Sequence, residues 1–305
     1  MRAFVADSSA PGRIALHDVA EPVVAPGEVL VAVRAFSINR GELGLLRRKP
    51  DGWRPGWDFA GTLQVDIDGG LRAGSSVVGI RQGGTWAERV AVAPGSIAEL
   101  PDAVSFAQGA ALPTAGLAAL RMLRLGPAIL GRRVLITGAS GGVGRFAIQL
   151  AHLGGAEVTA LVSEGSARSA GLRELGADHV VADIAQLRGR FDLILESVGG
   201  ATLGRLVTIV DPHGTLVMFG NSSDEPTTFD VRDVFNDGLV RLQGFELFFG
   251  DDPFGRDLQY LATLVGEGKL DPQLAGALPW EEIEGAMQRL QNRDVAGKFA
   301  LTLGG

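Results

Sequence analysis

Two rhythms of apolar and polar positions divide the chain. In the first third, "GEVLVAVRAF" sets Val29, Val31, Val33 and Ala35 against Leu30, Ala32, Arg34 and Phe36, a period of two that predicts a strand. "PGW", "DGG" and "QGG" punctuate the neighbouring segments as turns, so the chain up to about residue 115 reads as a small β-rich unit. From Gly131 the rhythm changes. "RVLIT", "EVTALV", "HVV", "FDLILES" and "GTLVMFG" are short apolar runs, separated by segments read as helical around "GVGRFAIQLA", "SARSAGLRELG" and "ATLGRLVTIV". Near-continuous apolar strands alternating with helices predict a parallel sheet covered on both faces, and the fold class is α/β. After "LVRLQGFEL" come a helix-like run over 254–266, a helix around "EEIEGAMQRL" and a last strand "GKFALTL".

Composition narrows the function classes. A chain of 305 residues is long enough for two domains, each with its own core. The net charge of -7 disfavours sequence-independent binding to nucleic acid or to an anionic membrane, both of which need a basic face. The one tight cationic cluster, "LLRRKP", reads as a solvated loop. Cysteine is absent, which removes disulfides, thiolate nucleophiles and Cys-based zinc sites together. "MRAFVAD" lacks the apolar core of a signal peptide. The longest apolar stretch, "AALPTAGLAAL", contains Pro113 and ends at Arg121, too short and too interrupted to span a membrane. A soluble, cytoplasmic protein acting on a small molecule is expected.

The most informative stretch is "VLITGASGGVGRFAIQLA", residues 134–151. "RVLIT" supplies a strand, and Val143, Ala147, Leu150 and Ala151 form an apolar helix stripe at i, i+4, i+7 and i+8. Between them Ala139, Ser140, Gly141, Gly142, Val143 and Gly144 carry the spacing Ala-x-Gly-x-x-Gly, with Gly138 just before. Strand, glycine turn and helix in this order form a dinucleotide fingerprint. Residues without side chains let the backbone approach a pyrophosphate, whose charge sits on the free amides and the positive end of the helix dipole.

The tip of the next strand bears on which nicotinamide cofactor binds. An NAD site places an Asp or Glu there to hold the ribose 2′-hydroxyl, about 20 residues after the turn. Val162 occupies that place, followed by Ser163 and then Arg168 at the start of the expected helix, a hydroxyl and a guanidinium suited to a 2′-phosphate. NADP(H) is therefore expected, with Glu164 as the neighbour that could instead favour NAD.

With these residues in view, the chain resembles the zinc-independent quinone oxidoreductase branch of the medium-chain dehydrogenase/reductase superfamily. The likeness rests on "MRAFV", "PGEVLVAVRAFSINRGEL", "PGWDFAG", "GGTWAERVAV", "ALPTAGLAAL", the glycine turn, "LGADHVV", "GNSS" and "AGKFAL", in that order along nearly the whole chain. The resemblance implies a GroES-like substrate domain, 1–118 completed by 266–305, around an inserted doubly wound Rossmann domain, 119–265, with a cleft between them. It also implies oligomers formed through the Rossmann sheet edge, which "LVRLQGFEL" could supply; a homodimer is expected. By the same likeness Asn39 lies near nicotinamide and substrate, Thr114 lies beside the cofactor, Phe219, Gly220 and Asn221 close over its nicotinamide end, and Lys298 approaches the cleft. Lys298 could equally pair with a carboxylate in the core.

The zinc-dependent relatives carry a Cys ligand in the region of "SINRGEL" and a His where this chain has Trp57. Here the four histidines, His17, His152, His179 and His213, are scattered and match no ligand pattern, so no zinc is expected. What remains is hydride transfer to an acceptor that needs little polarisation, a quinone or an α,β-unsaturated carbonyl, against a cleft walled by Phe36, Trp53 and Trp57. Many relatives carry a Tyr shortly after the position of Asn39; the single Tyr here is Tyr260. Glu42 and Asp58 are the nearby acids, read as a turn residue and a buried structural carboxylate, so water delivers the proton. A cofactor-binding structural or regulatory protein is the alternative of another class.

Overall fold

The computed structural model describes residues 1–163, 165, 167–235, 238–250 and 253–304. The chain forms two compact units, Met1–Leu117 with Gly250–Gly305, and Ala118–Phe249.

The first unit is built around the strand Val29–Ser37, which pairs antiparallel with Asp58–Leu63, Arg89–Val92 and Lys298–Thr302. Its main sheet runs Leu274–Pro279, Lys298–Thr302, Val29–Ser37, Asp58–Leu63, Ser76–Ile80, Ile97–Glu99. The alternation seen in sequence buries Val29, Val31 and Val33 and exposes Arg34, but the last three residues, Ala35, Phe36 and Ser37, are all buried. Phe36 is 0% exposed, stacked on Trp86 at 5.7 Å between ring centroids and edge-on to Phe4 at 6.4 Å. It is therefore a core residue and not a wall of a substrate cleft, because neighbouring segments close over both faces of the strand where it ends.

The helix Gly255–Gly266 belongs to this unit and not to the inserted one, moving the second boundary from 265/266 to 249/250. Its apolar stripe buries Leu258, Leu261 and Ala262, and Gln259 ties it to the strand Ile97–Glu99 by accepting from the Glu99 amide at 3.0 Å. The cationic cluster is solvated, with Arg47, Arg48 and Lys49 all exposed.

The second unit is a six-stranded, all-parallel sheet in the order His179–Val181, Glu157–Leu161, Arg133–Thr137, Phe191–Glu196, Val210–Met218, Arg241–Gly244. In chain order that is third, second, first, fourth, fifth, sixth, so the winding reverses between Arg133–Thr137 and Phe191–Glu196. Such a doubly wound sheet binds ligands outside the carboxyl ends of the strands at the reversal. The helix Gly142–Leu153 follows the first strand and is buried at every position from Gly144 through Ala151, which marks it as an interior helix.

The helix expected over "SARSAGLRELG" does not form. The structure there is a short 3-10 segment, Ala167–Ser169, followed by turns, because Gly171 sits at φ +78°, a left-handed conformation that ends helical geometry. Among the described residues no helix is long and apolar enough to cross a membrane.

Candidate active site

The candidate residues gather in two centres, one in each unit. In the second unit the sheet reversal brings the glycine turn against the end of the neighbouring strand. Ser197 donates its backbone N–H to the Thr137 hydroxyl at 2.8 Å, and the Glu196 carboxylate accepts from the amides of Val198 and Gly199 at 2.7 and 3.1 Å. Beyond that strand, the amides of Ser222 and Ser223 donate to the carbonyls of Ser197 and Val198, which holds the segment carrying Phe219, Gly220 and Asn221 beside the turn's neighbour. Asn221 and Gly220 are exposed, and Phe219 is partly so.

The turn fits a dinucleotide. Ala139 and Ser140 are buried, while Gly141, Gly142 and Val143 are partly open at the start of the helix. No side chain caps that helix, so its first-turn amides and dipole are left to a ligand. Gly144 is needed for close approach: a Cβ on it would lie 2.6 Å from Ala139 Cα and 2.7 Å from the Gly138 carbonyl oxygen. Ser163 is exposed and Arg168 half-buried; Glu164 lies outside the described residues.

Sequence reasoning missed Arg145. Its buried guanidinium donates to the carbonyls of Arg168 at 2.7 Å, Ala170 at 2.9 Å and Ser140 at 3.3 Å. It thereby ties the glycine turn to the segment that carries Arg168. The one available signal was a cation inside an otherwise apolar run. Glu196 was also missed; burial raises its carboxyl above the usual range against the opposing pull of the Val198 and Gly199 amides.

In the first unit the centre is Asp58, at 0% exposure. One carboxylate oxygen accepts from the Thr114 amide at 2.8 Å and the Thr114 hydroxyl at 2.5 Å. The other accepts from Ser37 at 2.5 Å, Asn39 at 2.9 Å and Lys298 at 3.3 Å. Lys298 completes its own coordination on the Asn39 amide oxygen and the Ile38 carbonyl. Five donors on one carboxylate satisfy a buried charge that would otherwise be costly. The structure thus joins Asn39, Thr114 and Lys298 through a residue read from sequence as merely structural. Of the two readings open for Lys298, its placement is the core pairing: all three ammonium N–H donors are engaged inside the unit.

Glu42 is not a turn residue. It lies in the first turn of the helix Arg40–Leu46, fully buried, and accepts from the Asn39 backbone N–H at 2.6 Å. Its other oxygen has no hydrogen-bond partner. Burial, reinforced by the nearby Asp58 charge, holds its carboxyl well above the ordinary range. Trp57 and Trp53 are both half-buried. The Trp57 ring lies against Gly41, where a Cβ would come within 2.5 Å of it, and Trp53 packs on the core beneath the Lys49 ammonium at 5.9 Å. Among the described residues no group of three or more His, Cys, Asp or Glu could hold a metal ion.

Residues 175–301 match the family model described as zinc-binding dehydrogenase. The chain is 32% identical over 93% of its length to erythronolide synthase EryA2 of Saccharopolyspora erythraea, but spans only 8% of that protein. It is 28% identical to the chloroplast envelope quinone oxidoreductase homolog of Arabidopsis thaliana, covering 98% of this chain and 97% of the plant protein. Its fold superposes on a mycobacterial protein solved in complex with NADPH at a TM-score of 0.86, with 24% identity over 99% of this chain and all of the other. Together with the doubly wound sheet and its glycine turn, these matches make the chain similar to the quinone oxidoreductase-like branch of the medium-chain dehydrogenase/reductase superfamily.

Proposed function

We propose that the chain is an NADPH-using, zinc-independent oxidoreductase that reduces a quinone or the conjugated double bond of an enone. The observation that carries this reading is the uncapped helix start behind the Ala139 to Gly144 turn, placed at the reversal of the sheet. The mycobacterial neighbour's NADPH and the plant relative's description as a quinone oxidoreductase homolog support it.

In this reading the amides of Ser140, Gly142, Val143 and Gly144 hold the pyrophosphate, while the Gly141 amide closes the turn on the Gly138 carbonyl at 2.9 Å, and Ser163 and Arg168 meet the 2′-phosphate. The reduced nicotinamide, when bound, supplies a hydride. Asn39 keeps one amide N–H beyond the one given to Asp58, a donor suited to the acceptor's oxygen. Asp58 and Lys298 hold that amide in a single orientation, since its oxygen faces a cation and its nitrogen an anion. Glu42 is sealed from solvent and gives no proton directly, so a quinone, whose oxygens take protons from water, suits the site better than an acceptor that must be protonated on carbon. The edge strand Arg241–Gly244 is the proposed contact for a homodimer.

The engagement of Thr114, Asn39 and Lys298 with Asp58 also favours a second reading, a cofactor-binding protein without strong turnover. NADPH consumption with a panel of neutral quinones and enones decides between them. Turnover with at least one acceptor, and none with ethanol or secondary alcohols, is the expected result; tight NADPH binding with no acceptor reduced selects the second reading.

A further inference from the structure

The loop that carries Trp53 and Trp57 also carries Arg54, whose environment differs from that of the ion-paired arginines in its unit. Arg2 meets Glu88, Arg89 meets Glu21 and Arg72 meets Asp66, each within salt-bridge distance. Arg54 is half-buried with its Nε shielded from solvent, and that atom has no hydrogen-bond partner. The charge that acts on it is another cation, Arg81. Burial first, and Arg81 second, lower the Arg54 guanidinium from its ordinary range.

The two arginines are held together by the backbone. Arg81 donates its N–H to the Trp57 carbonyl at 2.9 Å, and Gly84 donates to the carbonyls of Arg54 and Pro55, both at 3.0 Å. Arg81 is aimed by its own side chain, which donates to the Ala91 carbonyl at 2.6 Å. Neither guanidinium has a carboxylate within salt-bridge distance among the described residues. A buried N–H without a partner is costly, and bringing a second cation near its guanidinium adds to that cost; a bound anion removes both penalties.

We propose that Arg54 and Arg81 form a receiving site for an anionic group, a carboxylate or a phosphate, on the acceptor that the enzyme reduces. This rests on the oxidoreductase reading and narrows its substrate class to negatively charged quinones or enones. The cofactor's own phosphates have candidate holders in the second unit, so the pair in the first unit is assigned to the acceptor. The planar fork of each guanidinium suits a two-oxygen anion.

The test compares KM for a neutral benzoquinone with KM for its carboxylate-bearing analogue, in the wild type and in Arg54→Gln, Arg81→Gln and, as a surface control, Arg72→Gln. The wild type is expected to favour the anionic acceptor by about tenfold, a ratio that shrinks with salt, collapses toward one in Arg54→Gln and Arg81→Gln, and persists in Arg72→Gln. Binding of benzoate and of phenyl phosphate to the NADPH-loaded protein, followed by calorimetry, gives a readout without turnover, and the tighter of the two names the anion. Reduction of the neutral quinone with no charge preference overturns the site and leaves the oxidoreductase reading standing. Benzoate or phenyl phosphate binding that Arg54→Gln abolishes, with no quinone or enone reduced, supports the site and retires the oxidoreductase reading.

Discussion

The Lys298 ammonium lies 3.3 Å from the Asp58 carboxylate, where Lys298 is 5% exposed and Asp58 not at all. Removing one partner of such a pair leaves an uncompensated buried charge, a loss of about 3 to 5 kcal/mol. Asp58→Asn and Lys298→Met should each destabilise the first unit by that order, and the double variant by clearly less than the sum. Urea unfolding of all four proteins closes the cycle. Additive losses would show that the two charges do not act as a pair.

Glu42 sets a pH dependence of definite sign. Its carboxyl is raised above the ordinary value of 4.5, so the folded protein holds a proton that the unfolded chain has already released. Its stabilising share is complete below that ordinary value and is lost as pH rises through the raised folded one. The urea midpoint should therefore fall across this range, and fall less steeply in Glu42→Gln. Parallel slopes in the two proteins would remove Glu42 as the cause.

Gly144→Ala places a methyl 2.6 Å from the Ala139 backbone and forces the helix away from the turn. NADPH affinity should drop by at least about tenfold, since the first-turn amides no longer converge on the pyrophosphate. NADPH fluorescence titration measures it. An unchanged affinity would mean that the pyrophosphate is held elsewhere.

Arg168→Ala and Arg145→Lys should separate by cofactor. A charged hydrogen bond is typically worth about 1.5 to 3 kcal/mol, so Arg168→Ala should weaken NADPH by roughly tenfold to a hundredfold and leave NADH nearly unchanged. Arg145→Lys should weaken both alike, because the ammonium cannot hold the Ser140, Arg168 and Ala170 carbonyls together. Equal effects of Arg168→Ala on the two cofactors would reduce Arg168 to a structural residue.

Turnover should survive prolonged treatment with a strong chelator, because the chain has no cysteine and carries Trp57 at the place where zinc-dependent relatives have a ligand. Activity lost on chelation and restored by zinc would contradict this.

The parts legible in sequence were those governed by local periodicity. The apolar runs around 133–137, 157–161 and 191–196 became adjacent parallel strands, and the residues of the glycine turn folded into the turn they spelled. What escaped was set by partners distant along the chain. Asp58 gathers donors from residues 37, 39, 114 and 298, and no pattern within a window of neighbours marks such a meeting. Phe36 departs from the alternation of its strand, because the pairing register shifts between Val33 and Ala35 and Phe4 and Trp86 close over its ring. Arg145 was invisible because its acceptors are backbone carbonyls, which carry no sequence identity.

The strand Lys298–Thr302 docks on Val29–Ser37 across more than two hundred residues, and this dictates an order of events during synthesis. The second unit is a continuous segment, 118–249, and its sheet can assemble as soon as that segment leaves the ribosome. The first unit cannot, for its Asp58 has no cation until the closing strand arrives, and the closure carries a large loop entropy. Folding of the first unit is thus the late, slow step, and strain or truncation near Lys298 would be felt first as failed maturation of that unit.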